Sequence, residues 1–165
     1  NGKRHELIDG EHYMTPAPST KHQRISGKLQ TILRIFVEKN KLGEVFDAPC
    51  DIVFSDIDVV QPDIIFISNK NKHIITESNV QGAPDLIIEI ISEGTRKTDK
   101  VIKRRLYEKF GVKEYWIIDP VVDTLEVYRP TKEGYKKVAE YEKDDKFSSE
   151  LLKGLTINLA EIFST

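Results

Sequence analysis

The stretch of sequence that decides the fold runs from residue 85 to residue 92 and reads Asp85-Leu86-Ile87-Ile88-Glu89-Ile90-Ile91-Ser92. Its nearly continuous apolar run predicts a central β-strand that is buried on both faces. Glu89 stands in the middle of this run, where an unpaired carboxylate is costly to bury. Glu89 therefore either forms a salt bridge to a nearby lysine or serves a function.

A second carboxylate, Asp63, follows Pro62 and precedes the apolar run Ile64 to Ile67. A Pro-Asp pair also occurs at strand edges and turns, so a structural role is open. Asp85 competes to be the partner of Glu89, but four residues of one strand separate their Cα atoms by ~13 Å. We therefore expect Asp85 at the start of the strand and the Asp63 and Glu89 carboxylates close enough to share one Mg²⁺ or Mn²⁺ ion.

A highly charged helix is predicted from Thr95 to Phe110, with Gly111 ending it. Asp99, Lys103 and Tyr107 are spaced four apart and share one face. Asp99 and Lys103 either form a surface ion pair of little energetic weight or bring an ammonium to a phosphate. The rival Lys100 lies about 60° around the helix from Lys103. We expect the Lys103 ammonium within one water of the two carboxylates.

The remaining sequence predicts an α/β fold in one domain spanning residues 1–165. The other predicted elements are a hairpin at Leu7–Met14, a helix at Lys21–Lys39 capped at Ser19-Thr20, a strand at Glu44–Phe54 kinked at Pro49, a strand at Val59–Ser68 interrupted by Pro62, a buried strand at Glu114–Asp119, a hairpin of Leu125–Arg129 with Tyr135–Tyr141, and a last apolar segment at Leu151–Phe163.

Composition restricts the class of protein. The 25 basic and 27 acidic residues nearly balance, so any nucleic acid must be held by a local patch rather than by overall charge. The single cysteine, Cys50, excludes a disulfide within the chain and favours a reducing compartment. The N-terminal residues do not resemble a signal peptide, and no stretch approaches the ~20 apolar residues of a membrane span. We expect a cytoplasmic protein with no membrane partner.

Several motifs occur in a specific order along the chain. They are Leu7-Ile8-Asp9-Gly10-Glu11, Met14 to Ser19, His22, Gln61-Pro62-Asp63, Gly82 to Ser92, Asp99 with Lys103 and Tyr107, and Gly111-Val112-Lys113-Glu114-Tyr115-Trp116-Ile117-Ile118-Asp119-Pro120. This order resembles the Uma-two-type restriction endonuclease family of the PD-(D/E)xK nuclease superfamily. The resemblance spans nearly the whole chain, and the Gly-Val-x-Glu-Tyr-Trp run with Asp-Pro is its most specific part.

The resemblance implies a restriction-endonuclease-like core, with a mixed central β-sheet flanked by helices. It also implies metal-dependent hydrolysis of DNA, with Asp63 and Glu89 as metal ligands and Mg²⁺ or Mn²⁺ as cofactor. The superfamily lysine is expected two residues after the glutamate, where this chain has Ile91, and Lys103 is the position that matches its role. The candidate accessory residues are His22, Gln61, Asp99 and Tyr107. The family also suggests a homodimer, with the hairpin at Leu125–Tyr141 as a candidate interface.

Three functions are compatible with these residues. The first is a metal-dependent DNA endonuclease in which Lys103 assists attack by water on phosphorus. The second is an inactive DNA-binding or interaction module on a nuclease fold, which Ile91 favours, since fold does not guarantee function. The third is a metal-dependent phosphoesterase acting on RNA or nucleotides.

Overall fold

The computed structural model describes residues 3–165 and contains three β-sheets with helices on both sides of the largest one. The strands are β1 (Arg4–Ile8), β2 (Glu11–Thr15), β3 (Gly43–Asp47), β4 (Ile52–Ser55), β5 (Asp58–Val60), β6 (Ile64–Ser68), β7 (Val80–Gln81), β8 (Leu86–Ile90), β9 (Glu114–Asp119), β10 (Thr124–Thr131), β11 (Gly134–Glu142), β12 (Lys146–Ser148) and β13 (Thr156–Asn158). The helices are α1 (Thr20–Lys39), α2 (Arg104–Phe110) and α3 (Leu159–Phe163), with a 3-10 turn at Asn69–Ile74 and a π-helical segment at Thr98–Lys103 that leads into α2.

The central sheet has six strands in the order β11-β10-β9-β8-β6-β3. Only β8 and β9 run parallel, and the other neighbours are antiparallel. The charged helical segment after β8 supplies the crossover that a parallel pair requires. The predicted mixed central sheet flanked by helices is therefore confirmed.

Side chains of the central strands alternate between two separate cores. In β8, Leu86, Ile88 and Ile90 face the core beneath α1 and α3, whereas Ile87 and Ile91 face the core formed with α2 and the second sheet. This alternation follows from the period of two in a β-strand. Glu89 shares the side of Ile87 and Ile91, so its carboxylate points toward the second sheet.

That second sheet, in the order β2-β1-β5-β4-β7, corrects two of the predicted strands. The predicted strand Glu44–Phe54 is divided into β3 in the central sheet and β4 in the second sheet, and Val59–Ser68 is divided into β5 and β6. Pro49 and Pro62 lie at the two breaks, where a residue without an N–H cannot continue the ladder. The two prolines thus mark where the chain changes sheets, and Asp63 lies just before β6.

The helices lie where the sequence predicts them. One of them buries charged side chains on a face that the sequence leaves open to solvent or to the site. Helix α1 begins after Ser19, whose side chain accepts a hydrogen bond from the backbone N–H of His22 at 3.1 Å. The predicted helix at Thr95–Phe110 instead contains the π-helical segment, and the buried residues of that segment are Asp99 and Lys103. The alternative of a surface ion pair is wrong, because Asp99 and Lys103 do pair, at 3.5 Å, but inside the protein.

The hairpin of β10 and β11 packs against the chain's own core. Within the hairpin, Leu125 and Val127 are fully buried in the same core as α1. Within residues 3–165, none of the helices is both long enough and apolar enough to cross a membrane.

Candidate active site

The register of the central sheet brings Asp63 beside Glu89. Strand β6 pairs with β8 so that Ile64 lies opposite Ile88, and the next pair outward is Asp63 and Glu89. The backbone N–H of Asp63 donates to Oε1 of Glu89 at 3.1 Å, and the backbone N–H of Ile90 donates to Oδ2 of Asp63 at 2.7 Å. Asp63 is therefore hydrogen-bonded to both Glu89 and Ile90 at the end of one antiparallel ladder.

The second carboxylate oxygen of Asp63 is held by two basic side chains. Nη2 of Arg4 lies 2.9 Å from Oδ1 of Asp63, and Nε2 of His22 lies 3.2 Å from the same atom. Arg4 also donates from Nη1 to the backbone carbonyl of Gln61 at 2.8 Å. Strand β1 and the first turn of α1 thus close over the start of β6.

Lys103 reaches the same cluster from the π-helical segment. Its Nζ donates to Oε2 of Glu89, lies 2.9 Å from Glu6 and lies 3.5 Å from Oδ1 of Asp99. The Lys103 side chain is only 4% exposed. Its ammonium is therefore shared among three carboxylates in a setting that water scarcely reaches.

The charges in this cluster shift one another's pKa values. Burial alone would lower the pKa of Lys103, but Glu89, Glu6 and Asp99 raise it well above its ordinary value, so the side chain stays protonated. Burial raises the pKa of Glu89, and the carboxylates of Asp99 and Asp63 add to that rise against the opposing effect of Lys103. Glu6, Glu89 and Asp99 all share the single ammonium of Lys103.

Asp63 behaves differently from Glu89. Burial would raise its pKa, but contacts from His22, Arg4 and the Ile90 N–H bring the pKa of Asp63 below its ordinary value. A carboxylate with a depressed pKa remains ionised at neutral pH and can serve as a permanent ligand for a cation.

The donor set fits a hard divalent cation. Four carboxylates, Glu6, Asp63, Glu89 and Asp99, face two cations, Arg4 and Lys103, which leaves a formal excess of two negative charges in a buried place. Among residues 3–165, no three His, Cys, Asp or Glu side chains form a ready-made metal cage. Mg²⁺ is commonly held by one or two carboxylates with waters and substrate phosphates, and Asp63 with Glu89 supplies two.

These groups line a cavity of about 450 Å³. Of the predicted site residues, Asp63, Glu89, Lys103, His22 and Asp99 line it together. The structure thus brings the three residues expected to carry catalysis, and two of the four accessory ones, to one place.

The other two accessory residues, Gln61 and Tyr107, do not line this cavity. The side-chain amide of Gln61 donates to Asp51 at 2.6 Å, and only the backbone of Gln61 supports the site. Tyr107 is fully buried in the core under the second sheet, with its ring edge-on to Tyr115 at 4.8 Å. Its hydroxyl has no hydrogen-bond partner among residues 3–165.

Asp85 lies at the other end of β8, as its spacing predicted. It precedes the strand and accepts hydrogen bonds from Ser68 and from the Nδ2 of Asn71, the latter at 2.6 Å and 2.9 Å. These contacts give Asp85 a structural role that is separate from the cavity.

Two residues of the cluster, Glu6 and Arg4, were missed in the sequence. Glu6 is 3% exposed and joins β1 to the rest of the site, because it accepts from Lys103 at 2.9 Å and from the backbone N–H of Gln61 at 2.8 Å. A signal was present: with a period of two, Arg4 and Glu6 share the strand face of the buried Ile8. Two charges on the buried face of a strand indicate partners inside the protein.

Comparisons with known proteins agree with this fold. The family model Uma2, described as "Putative restriction endonuclease", matches residues 1–160. A solved structure of a putative nuclease belonging to DUF820 from Anabaena variabilis ATCC 29413 has a TM-score of 0.80 and 23% identity, covering 97% of this chain and 89% of that chain. At that identity the likeness shows the fold alone. No curated protein matches the chain. Because the family model covers nearly every residue, the chain belongs to the Uma2 family of putative restriction endonucleases.

Proposed function

We propose that the chain is a divalent-metal-dependent endonuclease that hydrolyses DNA phosphodiester bonds. The observation that carries this proposal is the convergence of Asp63, Glu89 and Lys103 in one buried cavity with an excess of carboxylates. The family supports the same class of reaction. A structural salt-bridge cluster would not need more negative than positive charges, since each unpaired buried carboxylate costs stability.

Asp63 and Glu89 would hold Mg²⁺ or Mn²⁺, because both are hard-oxygen donors on neighbouring strands. When bound, the ion lowers the pKa of a coordinated water and neutralises negative charge on the phosphate. The Ile90 N–H fixes one oxygen of Asp63, which leaves the carboxylate a single orientation toward the cavity.

Lys103 acts as a positively charged hydrogen-bond donor rather than as a base. Its raised pKa keeps the ammonium protonated at neutral pH, so it can stabilise the charge that develops on the phosphate oxygens. Glu6 and Asp99 fix the direction of the ammonium from both sides of the cavity. Ile91, at the position of the superfamily lysine, packs in the core with Ile87 and Tyr107.

His22 and Arg4 lie where a substrate strand would approach Asp63. Nδ1 of His22 is a buried atom with no hydrogen-bond partner among residues 3–165. Arg4 already contacts Asp63 through one nitrogen and can present its fork to a phosphate, which it matches in geometry.

The test is cleavage of supercoiled plasmid DNA with Mg²⁺ or Mn²⁺ and with a chelator. The wild type is expected to nick the DNA only with metal, Asp63→Ala and Glu89→Gln to lose that activity, and Glu150→Gln to keep it. Glu150 is the matched control because its exposed carboxylate contacts Arg129 outside the cavity. Circular dichroism of each variant checks that the fold is retained.

Three results would oppose the proposal. Metal-dependent cleavage that survives in both site variants would remove these carboxylates from the reaction. Binding of DNA without any cleavage would make the chain an interaction module. Faster hydrolysis of RNA or nucleotides than of DNA would instead make the chain a phosphoesterase that acts on those substrates.

A further inference from the structure

A second cavity of about 410 Å³ adjoins the first. The two cavities share four lining residues, Arg4, Pro18, His22 and Asp63. Asp63 therefore stands at the junction, and a chain-like ligand whose phosphate lies at Asp63 has room on both sides of that phosphate.

The second cavity differs from the first in chemistry. Its walls carry neutral hydrogen-bonding groups: the side chains of Gln23, Ser26 and Gln30 from α1, and of Gln61 from the opposite side. The amide of Gln30 donates to Ser26 at 3.0 Å, and that of Gln61 donates to Asp51. The Gln23 amide is exposed and has no hydrogen-bond partner among residues 3–165.

The two carboxylates that line this cavity each have a cationic partner. Asp47 lies 3.1 Å from Arg34, and Asp63 is held by Arg4. Neutral amides in a cleft recognise donor and acceptor patterns rather than net charge, as on the edge of a nucleobase. A glutamine amide can bond to both N6 and N7 of adenine.

Gly27 supplies an independent observation on the same wall. It lies within α1, where glycine is less favourable than alanine by about 1 kcal/mol. A Cβ at Gly27 would meet no atom within 4 Å, so packing inside the protein does not require glycine there. The missing side chain keeps the wall of the second cavity open.

We propose that the second cavity is a subsite for the nucleobase next to the scissile phosphate, with Gln23 as the residue that reads it. This inference rests on the proposed nuclease function and adds a determinant of specificity to it. The phosphate lies at Asp63, and the adjoining base enters beside Gly27. The free amide of Gln23 then pairs with the base edge.

Gly27→Leu tests the subsite by filling it, and Thr31→Leu is the matched control. Thr31 is an exposed residue of α1 that lines neither cavity. Binding of a fluorescein-labelled DNA oligonucleotide is measured by anisotropy with Ca²⁺, and hydrolysis of bis(p-nitrophenyl) phosphate is measured with Mn²⁺. Gly27→Leu is expected to weaken oligonucleotide binding about tenfold or more, while Thr31→Leu leaves it unchanged.

Hydrolysis of the small diester separates this inference from the proposed function, because that substrate has no nucleobase. Gly27→Leu is expected to hydrolyse it within about twofold of the wild-type rate, since the metal site and Lys103 are untouched. A wild type that hydrolyses neither substrate defeats the nuclease proposal, and the anisotropy comparison still decides the subsite. Equal oligonucleotide binding by Gly27→Leu and wild type, or no binding by either, overturns the subsite.

Gln23→Ala tests whether Gln23 recognises the base. Sequencing of the DNA ends produced by wild type and variant is expected to show a base preference at one position beside the cut, which Gln23→Ala relaxes. The same preference in both proteins would remove Gln23 from recognition.

Discussion

At the scale of single residues, the position of Lys103 is the main departure from the superfamily pattern. The strand position two residues after Glu89 is filled by Ile91, which is 1% exposed and packs in the core. The ammonium comes instead from a helical segment and reaches Glu89, Glu6 and Asp99. An ammonium can therefore reach the carboxylate of Glu89 either from the strand, as in the superfamily pattern, or from the following helical segment, as here.

Replacement of Lys103 by methionine is expected to lower DNA cleavage on the order of 100-fold, as loss of a charge-stabilising donor commonly does. The matched change is Lys100→Met. Lys100 lies three residues earlier and pairs with Glu126 at 3.4 Å, outside the cavity, so this variant is expected to stay close to wild type. Steady-state cleavage rates compare the two, and equal rates would exclude Lys103 from the reaction.

The excess of carboxylates predicts that one of them destabilises the metal-free protein. Burial raises the pKa of Asp99, despite opposing effects of Lys103 and Thr95. The folded chain therefore binds this proton more tightly than the unfolded chain, so ionised Asp99 lowers stability at every pH above the raised pKa. The cost disappears as pH falls through that pKa toward the ordinary value of 3.8.

With a chelator present to remove metal ions, Asp99→Asn is accordingly expected to increase the free energy of unfolding at pH 8. This increase in stability should become smaller toward pH 4. Urea unfolding at several pH values measures it. Asp47→Asn serves as the control, because it also replaces one carboxylate, but at a half-exposed position beside Arg34. A gain of the same size at pH 4 and pH 8 would contradict the assignment of the cost to ionisation.

Sequence reasoning found the site residues that interrupt apolar runs and missed those that do not. Glu89 and Asp63 are conspicuous because each adjoins consecutive isoleucines. Glu6 and Arg4 lie in a short polar strand, where a charged residue is unremarkable. Their alternation with Ile8 is the one signal of a buried face, and what covers that face depends on the long-range pairing of β1 with β5.

At the scale of the elements, two prolines decide how strands are shared between sheets. Pro49 and Pro62 were interpreted as a kink and an interruption, but the chain leaves one sheet for another at each. A proline in the sequence shows where a run of β-sheet hydrogen bonds stops. It does not show which strand the chain pairs with next. The strands of the central core and the hairpin of β1 and β2 could be predicted, whereas the assembly of the second sheet could not.

Two glycines provide a paired test of the helices. Gly111 ends α2 with a φ of 78°, in the left-handed region, whereas Gly27 lies within α1. A Cβ meets no atom within 4 Å at either position, so alanine reports on the backbone alone. Gly111→Ala is expected to destabilise the protein by about 1 kcal/mol, and Gly27→Ala to stabilise it by about the same amount.

Thermal unfolding measures both changes, at about 2–4 °C for each kcal/mol in a domain of this size. The opposite signs are the essential result. A loss of stability in Gly27→Ala would mean that α1 is constrained at that position by something other than helix propensity.

At the scale of the whole molecule, a divalent ion should stabilise the fold by binding the folded state only. At ten times its Kd, such an ion adds about 1.4 kcal/mol to the free energy of unfolding. We expect Mn²⁺ to raise the Tm of wild type and of Glu150→Gln, and to leave the Tm of Glu89→Gln nearly unchanged. An equal rise in all three would place the ion outside the Asp63 and Glu89 pair.

The distance along the chain between Glu6 and Lys103, 97 residues, has a consequence for how the protein is made. A ribosome adds roughly 5–20 residues per second, so Glu6 is joined to the chain roughly 5–20 s before Lys103. During that interval the nascent polypeptide holds its first acidic residues without their ammonium. On the role proposed for Lys103, the chain becomes competent to cut DNA only when these two distant segments have met.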